Sequence, residues 1–252
     1  MDIKTRIHQK RCLFGAMISF QSPQVVELMG HSNLDFLIID SEHASFGPES
    51  VQNLIRAAEG TPAAPFLRVP EIRSSFVQWG LDSGARGILF PQIRSAEDAE
   101  RAVALCRYPP LGIRGLGPGR AARYGLRLKE YEEEANESIV VMIQIENLKA
   151  VEELEAIVEV PGIDLIFIGP GDLSEVLRVP GQLDHSRVLE VMERVVAVCL
   201  QHQVPVGTLV LDPESCRYWR ERGIEFLLIG SDAFFLAGGC QAALETMAGR
   251  VS

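Results

Sequence analysis

The chain has 252 residues, 47% of them hydrophobic, and a formal charge of -10. That size and apolar content allow a large core, and the acidic balance excludes a basic stripe for binding nucleic acid. Five scattered cysteines without a CxxC pair exclude a disulfide frame or a cysteine-rich zinc site, and no apolar stretch approaches a membrane span. These features point to a soluble, cytoplasmic protein with neither nucleic acid nor a membrane as partner.

Taken in order, eight apolar runs recur at a steady interval: 13–20, 35–40, 65–69, 87–91, 140–145, 165–169, 205–210 and 225–230. Nearly all are continuous rather than alternating, which is the pattern of parallel strands covered on both faces. Helical patterns separate them, as at Pro48–Glu59, Ser95–Cys106, Val188–Gln201 and Pro213–Arg222. Pro48 and Pro213 mark helix starts, and Ser95 followed by Asp98 reads as a cap. Eight strands alternating with helices predict a (β/α)8 barrel, one domain spanning 1–252. A doubly wound sheet is the competitor, but the glycine-rich nucleotide loop it would usually carry is missing. The spacing breaks once, between strands four and five, where a loop over 107–127 is dense in Gly, Pro and Arg. This loop is expected at the catalytic end of the barrel. The acidic run at 129–137 reads as a solvated helix face.

Barrel enzymes place their chemistry at the C-terminal strand ends. Those positions hold Asp40, Glu42 and His43, then Arg68, Gln92, Gln144 and Glu146, Gly171 and Asp172, and finally Ser231 and Asp232. Strands five and six are adjacent and parallel, so Glu146 and Asp172 can converge. Two such acids suit a divalent cation, or else are one surface acid and one helix N-cap; the stretch alone leaves both open. Two carboxylates without paired histidines favour a hard cation over zinc. None of the four lysines falls inside or just beyond a strand end, which disfavours a Schiff base, and there is no G-x-S-x-G nucleophile elbow.

DSEH (40–43), FLRVP (66–70), YPPLGIRGLGPGRAARYG (108–125), IQIE (143–146) and FIGPGDLS (167–174) together resemble the HpcH/HpaI aldolase family. The resemblance spans nearly the whole chain. It implies a metal-dependent class II aldolase that cleaves a 4-hydroxy-2-oxo acid to pyruvate and an aldehyde. It further implies Glu146 and Asp172 as ligands of Mg2+ or Mn2+, with Co2+ a third option and no organic cofactor. Arg68 would stabilise the enolate, and His43 would act as base, oriented by Asp40. Gln144, Gly171 and Asp172 would contact substrate alongside Arg68. Asp82 would reach a neighbouring subunit's site in a homo-oligomer, commonly a hexamer, with an exchanged C-terminal helix. The segment Phe234–Val251 suits docking on a partner or closing its own barrel.

Strand seven ends in GTLVLDPES, more apolar and acidic than the turn associated with many members, so the aldehyde is the least determined element. Arg114, Arg120 and Arg123 would either bind an acidic or hydroxylated tail or hold the long loop. Alternatives are a CoA-ester lyase of the citrate lyase β-subunit or malyl-CoA lyase type, and a silent barrel that only binds a metal or 2-oxo acid. Oxaloacetate decarboxylation would use the same enolate.

Overall fold

The computed structural model describes residues 2–248. Eight parallel strands close into a barrel in sequential order: β1 (Leu13–Ile18), β2 (Phe36–Asp40), β3 (Ala64–Arg68), β4 (Gly87–Phe90), β5 (Val140–Ile145), β6 (Leu165–Ile168), β7 (Val206–Leu209) and β8 (Phe226–Ser231). Each matches a run picked out in the sequence, β3 starting one residue earlier and β8 ending one residue later, and the (β/α)8 expectation is met. Short helix α1 (Ile3–His8) precedes β1 and plugs the N-terminal floor with Ile3 and Ile7. The outer helices are α2 (Pro23–Gly30), α3 (Pro48–Glu59), α4 (Ser74–Ser83), α5 (Ala96–Cys106), α6 (Leu128–Ser138), α7 (Leu148–Glu152), α8 (Leu154–Val158), α9 (Pro170–Val176), α10 (Ser186–Gln201) and α11 (Pro213–Glu221). The connection between β5 and β6 is made of two short helices, broken at Glu153.

Because side chains alternate along a strand, every second residue faces the axis. Leu13, Phe36, Phe66, Leu89, Met142, Phe167 and Phe226 fill this interior. Phe36 stacks on Phe226 at 3.8 Å between centroids, and Phe66 meets both edge-on at 6.1 Å. Gly15 makes room for this layer, since a Cβ there would run into the Phe36 ring. The intervening residues, such as Leu37, Ile39, Leu67 and Ile143, pack outward under the helices.

Asp232 seals the seam between β8 and β1. It is 3% exposed and accepts from the backbone N–H groups of Ser19, Phe20 and Ala233. At the opposite end Asp164, also buried, accepts from His8 Nε2 (2.9 Å) and the Val141 N–H (2.9 Å). It also pairs with Lys4 and Arg107, so a single carboxylate fastens α1 to the floor.

Two placements revise or narrow the sequence reading. The 107–127 loop lies at the N-terminal end, not the catalytic end, because it joins the end of α5, at the floor, to α6 and the start of β5. Its Arg120 donates to Ser83 O and pairs with Glu59; Arg114 pairs with Asp82 at 2.8 Å and lies over the Tyr108 ring. Both arginines therefore hold the loop, at the opposite end of the barrel from this chain's own mouth. The last helix, α12 (Asp232–Ala248), leaves its own barrel: only Asp232 is buried, while Phe234, Leu236, Leu244 and Met247 are exposed. Residues 249–251 of the predicted segment lie outside the described residues.

Candidate active site

The inward column of each strand continues to the mouth, and this assembles the site. On β2 the inward Phe36 and Ile38 are followed by Asp40; on β3 Phe66 is followed by Arg68; on β5 Val140 and Met142 are followed by Gln144 and, just past the strand, Glu146. Asp40 and Arg68 are direct neighbours in the β2–β3 register. Arg68 donates from Nε to Asp40 Oδ1 (2.9 Å) and from Nη2 to Oδ2 (2.7 Å), a bidentate pair. Its Nη1 lies 3.1 Å from Glu42 Oε2. Burial alone would weaken the guanidinium's hold on its proton, but Asp40, Glu42 and Glu146 outweigh it and raise the pKa. Arg68 is thus a fixed cation in a largely buried place.

Asp40 Oδ1 also accepts from the backbone N–H of Glu42 (3.0 Å) and His43 (3.3 Å), which folds the loop after β2. Its contact with His43 is therefore through the backbone. The imidazole is 65% exposed, and its Nε2 faces Glu42 Oε2 at 3.8 Å.

Glu146 is 1% exposed, so it is no surface acid. Its Oε1 accepts from the Gln92 N–H at 2.6 Å, and its Oε2 accepts from Gln144 Nε2. Gln92 adopts a left-handed φ of 58°, uncommon for a residue with a side chain. Gly169 supplies room: a Cβ there would lie 3.0 Å from Glu146 Cβ and 3.3 Å from its Oε2. Burial raises the Glu146 pKa, against the Gln92 and Gln144 hydrogen bonds, and the charges of Glu42 and Asp172 raise it further. Asp172 is exposed in the first turn of α9, whose N-cap is Gly169, so it does not serve as the cap. Gly171 faces open space.

The structure thus gathers Asp40, His43, Arg68, Gln144, Glu146, Gly171 and Asp172 at one mouth. Asp82 is set apart: it sits in the last turn of α4, at the opposite end. Two further residues shape the mouth in ways the sequence does not signal. Glu42 is largely buried and aimed inward, and Gln92 orients Glu146 through its backbone; an uncommon φ leaves no signature in composition.

Three buried oxygens at this rim, Ser41 Oγ, Glu42 Oε2 and Gln144 Oε1, lack a hydrogen-bond partner. Among the described residues no three His, Cys, Asp or Glu side chains form a closed metal cage. Mutually repelling carboxylates with an orphaned amide oxygen fit a hard divalent cation that keeps open positions for water or substrate oxygens. Glu146 and Asp172 are the residues that would hold it.

A closed parallel barrel with a clamped arginine and paired acids at its C-terminal mouth is the frame of a barrel lyase. The HpcH/HpaI aldolase/citrate lyase family model matches residues 14–238, and the chain belongs to that family. It is 34% identical over 250 residues to the hydroxypyruvate/pyruvate aldolase of Paraburkholderia phytofirmans, covering 96% of both chains. It is 38% identical over 226 residues to the 2-keto-3-deoxy-L-rhamnonate aldolase of Klebsiella pneumoniae, covering 86% of this chain and 82% of that one. A solved HpcH/HpaI aldolase/citrate lyase family protein from Burkholderia cenocepacia superposes with a TM-score of 0.94, at 35% identity and 98% coverage of both chains. The protein is an aldolase-type carbon–carbon lyase.

Proposed function

We propose that this chain is a divalent-metal-dependent aldolase that reversibly cleaves a 4-hydroxy-2-oxo acid to pyruvate and an aldehyde. The observation that carries this reading is the clamped Arg68 facing the Glu146–Asp172 acids across one mouth, with His43 at its edge. A Mg2+ or Mn2+ ion, held by Glu146 and Asp172, would supply Lewis-acid polarisation of the 2-oxo group. Arg68 hydrogen-bonds the same ketone oxygen and stabilises the negative charge that develops as the enolate forms. Its orientation does not need to be found during the reaction, because Asp40 already fixes the guanidinium plane. His43 takes the 4-hydroxyl proton in cleavage; in the exchange reaction it takes the methyl proton of pyruvate. Gln144 holds Glu146 and offers its free Oε1 to the site. The backbone N–H groups around Gly171 and Asp172 receive the substrate carboxylate at a helix start.

The aldehyde portion has room beside α9. A cavity of roughly 600 Å3 is walled by Leu183, Leu209, Val210 and Leu211, with Asp184 and Asp212 at its edge. These walls favour an uncharged aldehyde over an anionic one. A CoA thioester would need a basic groove beside the mouth. The cavity lined by Arg86, Arg120, Arg123 and Arg127 opens at the other end of the barrel.

The exposed apolar surface of α12 supports a homo-oligomer, a hexamer by family resemblance, in which this helix packs on a second copy. Asp82, far from its own mouth, would then serve a neighbour's site. The five unpaired cysteines suit the reducing cytoplasm.

The test is deuterium exchange of the pyruvate methyl protons followed by NMR, with Mg2+ or Mn2+, with chelator, and with His43→Ala. Metal-dependent exchange lost in the variant is the expected result, followed by an aldehyde screen. No exchange with any divalent metal would overturn the assignment.

A further inference from the structure

We propose that Glu42 is a positioning residue that couples the imidazole of His43 to the guanidinium of Arg68. The proposal rests on the reading of His43 as the base, and goes beyond it by naming the group that sets its basicity and place. One oxygen, Glu42 Oε2, stands between the two: 3.1 Å from Arg68 Nη1 and 3.8 Å from His43 Nε2. It is buried, and neither approach satisfies it as a hydrogen bond. The two neighbours differ in freedom. Arg68 is locked by Asp40, whereas the His43 ring is 65% exposed. A swing of the ring by about 1 Å would bring Nε2 within the usual hydrogen-bonding range and fill the vacant acceptor. The fixed carboxylate therefore selects ring positions that turn Nε2–H toward it, which leaves Nδ1 as the unprotonated nitrogen that can take a proton. It also favours the protonated imidazole after the proton has been taken.

Asp40 does not duplicate this role, because its oxygens are engaged by Arg68 and by backbone N–H groups. The charged groups facing Glu42 are Arg68 on β3, His43 and Asp40 on its own segment, Asp172 on α9 and Glu146 after β5. Burial raises the Glu42 pKa, while Arg68 and His43 oppose that rise. Arg68 stays clamped by Asp40 when Glu42 is removed, so the exposed His43 ring is the neighbour free to respond.

The experiment is an NMR titration of the imidazole C–H signals in wild type, Glu42→Gln and Glu42→Asp, with His43→Ala to assign the signal. It needs neither substrate nor metal, so it stands even if the aldolase reading fails. The expected result is that the His43 signals titrate at lower pH in Glu42→Gln than in wild type, with a smaller displacement in Glu42→Asp. Where wild type exchanges pyruvate protons, the pH at which exchange rises moves down with it. A purely structural Glu42 would alter thermal stability without moving the His43 titration. Should Glu42→Gln not fold, Glu42→Asp reads the same coupling. An unshifted His43 pKa in a folded Glu42 variant would overturn the proposal.

Discussion

Adding one methyl group at Gly169 tests whether the mouth is built to the tolerance a metal site needs. The backbone there has φ -93° and ψ 87°, open to any L-residue, so Gly169→Ala introduces no backbone strain. Its cost is purely one of space. The new Cβ would lie 3.0 Å from Glu146 Cβ and 3.2 Å from Gln144 Nε2. Carbon atoms rest at about 3.5 Å or more, so the Glu146 side chain must retreat by about 0.5 Å. Metal–ligand distances tolerate about 0.2 Å. Overpacking of this kind costs about 1–3 kcal/mol, a fall in melting temperature of roughly 2–10 °C for a chain of this size. Displacing a ligand that Gln92 and Gln144 hold in place should weaken metal binding by about 10- to 100-fold. Mn2+ affinity measured by calorimetry, beside a thermal melt, separates the two effects. Wild-type Mn2+ affinity in Gly169→Ala would refute the assignment of Glu146 as a ligand placed by this glycine.

Arg68→Lys keeps the charge but loses the bidentate grip on Asp40; exchange of pyruvate protons should fall about 100- to 1000-fold in a folded protein, read by NMR. Asp164→Asn leaves Lys4 and Arg107 facing a neutral group at the floor and should cost about 3–5 kcal/mol in urea unfolding near neutral pH. Burial works to raise the Asp164 pKa, but His8, Lys4, the Val141 N–H and Arg107 outweigh it, and the native value lies below the ordinary carboxylate range. The contribution of wild-type Asp164 is therefore complete above the unfolded pKa and disappears as pH falls through the lowered native one. The gap between wild type and Asp164→Asn should close on the acid side, and a pH-independent gap would refute the argument. Replacing both Leu236 and Leu244 by Glu places charge on the exposed α12 and should dissociate the proposed oligomer, as measured by light scattering.

The barrel was legible because its parallel strands are covered on both faces and so read as unbroken apolar runs. The strand-end positions of Asp40, Arg68, Glu146 and Asp172 were legible because the apolar runs mark where the strands stop, while the roles proposed for them come from the family resemblance. The location of the 107–127 loop was not legible from composition: glycine and arginine density says nothing about which end of a barrel a loop occupies. Counting connections settles that, since a segment between a helix end and the next strand start must lie at the floor. Glu42 was hidden for a different reason. Whether a side chain after a strand turns inward depends on the loop backbone, here folded by the Asp40 carboxylate, and only three-dimensional geometry shows it.

The aromatic layer of Phe36, Phe66 and Phe226, with α1 fitted beneath, makes the barrel a vessel with one opening. Among the described residues the packed rings fill the barrel axis, so substrate and product use that doorway. Traffic and chemistry are thereby coupled. A cover over the mouth would halt turnover and hydrogen exchange together, whereas changes at the floor leave the route untouched.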